Sequence, residues 1–223
     1  MTIEAVANGA DETARPGQNL SGFAYAALSR MIHGHRLRGG DVILEARLAA
    51  ELSISRTPMR EALQRLEGEG LVIKNASRSY MVRTVDLAEY LQSLKVREVL
   101  EPEMAGLAIG QIAPANFAPV RAEITALNGS TSYVRQAHWD SDASLHNLFI
   151  DACGNPVMTQ IMRALRATTH LFEIERLQDR LVPDNAEHIA ILDALESGDA
   201  KAARKAVQSH IRSLQRFTLS VFG

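Results

Sequence analysis

The run Ser55–Val72, SRTPMREALQRLEGEGLV, narrows the local fold of this chain more than any other. Met59, Ala62, Leu63 and Leu66 recur at the three- and four-residue spacing of one helix face, which leaves Arg56, Thr57, Arg60, Gln64 and Arg65 on the other. Ser55 is a residue type that caps helix N-termini, Thr57 and Pro58 suit a first turn, and Glu61 adds negative charge toward the positive end of the helix dipole. Gly68 and Gly70 bracket the exit, and Leu71-Val72-Ile73 reads as a strand.

Upstream, Ala46–Leu52 makes a second short helix, and only Ser53-Ile54 separates it from Ser55, a helix-turn-helix spacing. An earlier amphipathic helix runs from about Leu20 to Leu37 with Phe23, Ala27, Leu28, Met31 and Ile32 inward, and Gly39-Gly40 breaks the pattern. After Ile73 the polar Asn75–Ser79 forms a turn, and Tyr80-Met81-Val82 returns as a second strand. Three helices and a β-hairpin over residues 20–84 make a winged helix-turn-helix. These residues carry ten Lys and Arg against six Asp and Glu, whereas residues 85–223 carry thirteen against seventeen. The basic excess sits with the motif, which points to a polyanionic partner, double-stranded DNA. Solvated arginines on a packed helix would account for that helix alone, not for the whole arrangement.

The stretch GHRLRGGDVILEARLAAELSISRTPMREALQRLEGEGLV resembles the DNA-binding domain of the GntR family of bacterial transcription regulators. The resemblance implies that the start of the recognition helix contacts bases and phosphates, which falls here on Ser55, Arg56, Thr57 and Arg60. Arginine can grip guanine O6 and N7 with two hydrogen bonds, while Ser and Thr more often fix phosphates. Two departures stand out: the family's wing turn commonly carries a glycine where this chain has Ser79, and a basic residue before the second helix is Ala46, followed by Arg47. Further contacts from Arg47, Arg78 and Ser79 are expected on the same resemblance.

At 223 residues the chain has room for two modest domains, and 46% apolar residues suffice for packed cores. A single cysteine, Cys153, excludes an internal disulfide and suits a reducing cytoplasm; by residue type it is a small buried apolar side chain. No run approaches the roughly 20 apolar residues needed to span a bilayer. Residues 1–19 are polar, lack an apolar segment, and read as a flexible tail rather than a signal peptide. A cytoplasmic protein with no membrane partner is expected.

From Asp86, which can cap the first of them, helical patterning runs through residues 85–223 with breaks near Pro114, Asn128-Gly129, Gly154-Asn155-Pro156, Leu181-Val182-Pro183 and Ser197-Gly198-Asp199. About six helices result, so the fold class is mainly α. Asp142 and His146 are four residues apart and share one helix face, a pair able to bite one metal ion. His188 lies early in one helix and His210 late in the next, so antiparallel packing returns both imidazoles to the same end. Three histidines and a carboxylate suit zinc and several other divalent transition metals. His33, His35, His138 and His170 read as surface or satisfied core residues.

Residues 86–220 resemble the all-helical FCD ligand-sensing domain of the FadR-type branch of this family. The resemblance implies that Asp142, His146, His188 and His210 hold a divalent metal ion, zinc first with nickel, manganese or iron as alternatives. Arg97 precedes Glu101 by four residues, which allows an intrahelical ion pair. The resemblance instead turns Arg97 toward the cavity, where its guanidinium suits a carboxylate that also coordinates the metal. Asn155, in the CGNP turn, is a turn-former by residue type and a candidate donor to the same pocket.

The expected protein is a homodimeric, ligand-responsive repressor that binds an inverted-repeat operator and senses a small organic acid through a metal-containing pocket. A metal-responsive regulator without an organic effector is the nearer alternative. A metal-dependent hydrolase or lyase is the farther one, and it lacks a well-directed base. Glu187 neighbours His188 in sequence, but adjacent helical residues point about 100° apart.

Overall fold

The computed structural model describes residues 19–128, 133–172 and 177–222. Of the tail expected over residues 1–19, only Asn19 lies among them, and its side chain caps the first helix by accepting from Gly22 N at 2.8 Å. Helices α1 (Leu20–His33), α2 (Glu45–Glu51) and α3 (Arg56–Gly68) lead into strands β1 (Val72–Lys74) and β2 (Tyr80–Val82). Six helices follow: α4 (Leu87–Leu107), α5 (Phe117–Asn128), α6 (Arg135–Ala152), α7 (Pro156–Leu171), α8 (Leu181–Glu196) and α9 (Ala200–Phe222). The architecture is a winged helix-turn-helix followed by an all-helical bundle.

The stripe read from α3 is the buried one: Met59, Ala62, Leu63 and Leu66 close against Leu28 of α1, while Arg56, Thr57, Arg60, Gln64 and Arg65 are exposed. Full burial of each large apolar side chain stabilises by about 1.5–3 kcal/mol. The strands pair antiparallel with Val72 opposite Val82 and Lys74 opposite Tyr80, and Val42 bridges Met81 to brace the hairpin. Gly70, at φ 77°, occupies the left-handed conformation that lets the chain leave α3 for β1.

Several local expectations are corrected. Helix α1 ends at His33, because Gly34 caps it and His35 turns left-handed at φ 56°. Phe23 is 48% exposed and Ala24 is buried instead, since Phe23 lies roughly 100° round the helix from the centre of the stripe Ala24, Ala27, Leu28, Met31 and Ile32. Ser55 stands at the N-cap of α3 with extended backbone, yet its side chain makes no capping hydrogen bond. Helix α3 begins at Arg56, so Glu61 falls beyond the first turn. In the wing, Asn75 Oδ1 accepts from Ser77 N and Ser79 N at 3.0 Å each. The left-handed residue there is Arg78, at φ 59°, not Ser79; such backbone costs a non-glycine residue roughly 1–2 kcal/mol. Pro183 does not break a helix: it sits in the first turn of α8, where its missing N–H removes no helical bond.

Asp86 caps α4 as expected, its side chain accepting from Glu89 N at 2.8 Å. Tyr90, Leu94 and Met104 of α4 are fully buried among α5–α9, so α4 is the central rod of the second core. That core also takes in Phe149 and Leu145 of α6 and Ile191 and Leu192 of α8. It thereby fixes the elements that carry the histidines.

Candidate functional site

Helix α6 presents Asp142 and His146 one turn apart, α8 presents His188, and α9 presents His210. Gly198, left-handed at φ 76°, ends α8 and sends α9 back along it, which brings the last two imidazole rings to 4.7 Å between centroids. Ligand atoms of all four residues lie within 4.8 Å of one another. Asp142 Oδ1 is 3.5 Å from His146 Nε2 and 3.7 Å from His188 Nε2. Donors around a tetrahedral ion with bonds of about 2.0–2.1 Å stand about 3.3 Å apart. His146 Nε2 and both ring nitrogens of His188 are buried without a hydrogen-bond partner. Unmatched polar atoms in a core cost about 1–3 kcal/mol each, so the donor set fits a divalent cation in both spacing and unmet bonding.

The surroundings orient these donors. His146 Nδ1 donates to Glu101 at 2.6 Å and His210 Nδ1 donates to Glu187 at 2.9 Å, so each imidazole turns its other nitrogen inward. Asp142 keeps Oδ1 toward the cluster and accepts from Arg166 Nη2 through Oδ2 at 2.6 Å. Glu101 also accepts from Arg97 Nε at 2.5 Å, and Arg97 Nη1 donates to Thr169 at 2.8 Å. Behind His188, Asp184 accepts from His138 Nε2 at 2.9 Å and pairs with Arg180, which also donates to Glu187 at 2.6 Å.

The electrostatics favour a lone pair over a proton on His146 and His188. Burial pushes His188 down to about 3 against the opposing pull of Asp184, and it lowers His146 as well. Burial alone would raise the carboxyls of Glu101 and Asp142. Arg97 with His146 outweighs it at the first, Arg166 with His146 at the second, and both are held well below the usual carboxylate range. At neutral pH Asp142 is a carboxylate and His146 and His188 are neutral imidazoles, the forms that bind metal.

Sequence reasoning does not single out Arg166, Asp184 and Arg180, and it reaches Glu101 only as a partner of Arg97 and Glu187 only as a poorly directed base. Glu101 had a signal in its spacing from Arg97. Glu187 accepts from His210 Nδ1 and so orients that ring. Arg166 meets Asp142 only through the packing of α7 on α6, so nothing local announces it. His138 is the satisfied core histidine expected, whereas His170 Nδ1 is buried without a partner.

On the winged domain, Ser55, Arg56, Thr57 and Arg60 form an exposed patch at the start of α3. Arg56 makes no ion pair among the described residues, while Arg60 Nε donates to Glu45 at 2.9 Å. Arg47 on α2 and Arg78 at the wing tip are exposed, and Ser79 is half-buried with its backbone held by Asn75.

Residues 20–82 match the bacterial regulatory proteins of the gntR family, and residues 92–213 match the FCD domain. This chain belongs to the GntR family and carries an FCD domain. It is 23% identical to the galactonate operon transcriptional repressor of Escherichia coli over 84% of this chain and 91% of that one. It is 27% identical to a probable D-xylose utilization operon transcriptional repressor of Paenarthrobacter nicotinovorans over 79% of this chain and 78% of that one. Its fold matches that of E. coli McbR/YncC with a TM-score of 0.75 at 16% identity, covering 92% of this chain and 99% of that one.

This GntR–FCD chain is thus a DNA-binding transcription regulator and not an enzyme, and among its described residues no helix is long and apolar enough to cross a membrane. Two ligand-binding expectations look different in the regulator's own geometry. Arg97, 1% exposed, has Glu101 and Thr169 as partners, so the intrahelical ion pair is present. Asn155 caps α7 by accepting from Met158 N at 3.1 Å, in a groove with Gly68, Asp151 and Arg163 rather than among the metal-ligand candidates.

Proposed function

We propose that this regulator acts in the cytoplasm as a homodimer that represses transcription from an inverted-repeat operator. Its FCD domain senses a small organic acid through a divalent metal ion, zinc in preference to nickel, manganese or iron. The carrying observation is the convergence of Asp142, His146, His188 and His210 on buried histidine nitrogens that nothing else satisfies. The metal, when bound, supplies Lewis acidity that can fix a carboxylate, and Arg97 lies one partner away through Glu101. Repression is favoured by the names of the D-xylose and galactonate operon repressors, the second of which is named for a sugar acid. An effector shifts DNA binding only if it binds the two functional arrangements unequally.

In this reading Ser55 and Thr57 set phosphate register, helped by the free hydroxyl that Ser55 does not spend on capping. Arg56 reads a base, Arg60 joins it on release from Glu45, and Arg47, Arg78 and Ser79 track the backbone. Arg56→Ala is expected to weaken specific binding roughly 5- to 150-fold, or about 1–3 kcal/mol, at fixed salt. Unchanged affinity for a duplex selected by the protein would remove Arg56 from base reading.

The engagement of Arg97 by Glu101 and Thr169 favours a second reading, in which the ion itself is the signal. Metal analysis of the purified protein, followed by a thermal-shift screen of small carboxylic acids on the metal-loaded form, separates the two. The organic-acid reading expects a shift that Arg97→Ala abolishes. Metal-dependent stabilisation with no acid response would leave metal-only sensing, and a protein that takes up no divalent ion would overturn both.

A further inference from the structure

Helix α7 touches both domains with consecutive side chains. At 100° per residue, Arg166, Thr169 and His170 fall on one side of its last turns and Ala167, Thr168 and Leu171 on the other. The first side faces the sensor: Arg166 Nη2 donates to the ligand candidate Asp142 at 2.6 Å and Thr169 accepts from Arg97 at 2.8 Å. The second faces the winged helix: Ala167 is buried in that domain's own hydrophobic core, with Leu171 packed against it. Thr168 accepts from Arg83 Nη2 at 2.7 Å. Arg83 lies just past β2 and donates from Nε to Gly70 O at 2.8 Å, at the exit of the recognition helix, while its backbone N donates to Leu71 O. His170 spans the divide, with its ring 4.9 Å from that of His33 on α1 and 4.6 Å from that of Trp139 on α6.

We infer that the Arg166–Leu171 end of α7 is the element that transmits the state of the metal centre to the DNA-binding domain, with the Arg83–Thr168 hydrogen bond as its coupling contact. This rests on the proposed metal centre. A packed helix moves as a unit, so a change at Asp142 that shifts Arg166 is felt two residues on at Thr168. Arg83 then carries it to Gly70 and the base of the wing. Thr168 is buried, and none of the four candidate ligands hydrogen-bonds to it, so the contact can be cut without touching the cluster.

The test uses the full chain, zinc as the probe, and a duplex selected by the protein. Wild type is expected to show a Kd for DNA that differs between zinc-loaded and zinc-free forms by roughly 5- to 150-fold, the usual size of coupling, with altered amide exchange at residues 70–83. In near-isosteric Thr168→Val, zinc affinity is expected to stay within about twofold while the DNA-affinity ratio falls toward one and the exchange change at 70–83 is lost. Arg83→Met cuts the same bond from the other side and is expected to uncouple likewise, so the test survives a folding defect in either variant. A variant that binds zinc and keeps the full wild-type ratio would overturn the inference. So would a wild type that binds zinc with no response at 70–83, leaving the metal centre standing. A wild type that binds no zinc or other divalent ion would overturn the metal centre and the inference with it.

Discussion

Glu101→Ala is expected to lower the unfolding free energy by about 3–5 kcal/mol, roughly 6–20 °C in melting midpoint for a chain of this size. Glu101 and Arg97 are both fully buried, so truncation leaves the Arg97 guanidinium in the core with only Thr169 among its described partners. It also frees His146 Nδ1, which Glu101 now accepts at 2.6 Å, and metal affinity is expected to fall about 10- to 100-fold with the ring's orientation. Glu101→Gln keeps shape and an acceptor while removing the charge, and should lie between the two. Thermal melts of the metal-free proteins read the first effect and metal titration reads the second. A midpoint within about 2 °C of wild type for Glu101→Ala would mean that the buried pair contributes little.

His188→Ala is expected to weaken metal binding by roughly 100- to 1,000-fold, because zinc sites of four ligands bind with about 10–16 kcal/mol in total, or several kcal/mol per ligand. His188 is the ligand candidate with both nitrogens unpartnered, so its removal deletes a donor and breaks no hydrogen bond. The metal-free variant should therefore melt near wild type or above it. The stabilisation that wild type gains on metal addition should vanish at the same free concentration. Competition with a chromogenic chelator measures the affinities, and equal values for wild type and variant would remove His188 from the ligand set.

These two residues also mark what the chain's order of amino acids could and could not announce. The recognition helix was legible down to which side chains are buried, since its apolar and polar residues alternate with one strong helical period and glycines end it. The histidine cluster was legible because Asp142 and His146 share a face and a break at Gly198 folds His210 back on His188. What failed locally did so where packing decides among equals, as at Phe23 against Ala24, or where the right residue holds the cap position without making the capping hydrogen bond, as at Ser55. The partners Arg166, Arg180 and Asp184, and the bridge from Arg83 to Thr168, depend on which helices lie side by side. Thr168 is 85 residues from Arg83, and no spacing within one helix encodes such a meeting.

The central question for this regulator is whether the state of the FCD centre changes how the winged helix holds DNA. That is measured most directly by titrating chelator-treated protein with zinc at fixed salt while recording its affinity for a selected inverted-repeat duplex, in wild type and in His188→Ala. The expected result is a change of roughly 5- to 150-fold in wild type, saturating as the site fills, and none in the variant. An affinity that stays flat in wild type through full metal occupancy and through addition of small carboxylic acids would contradict it.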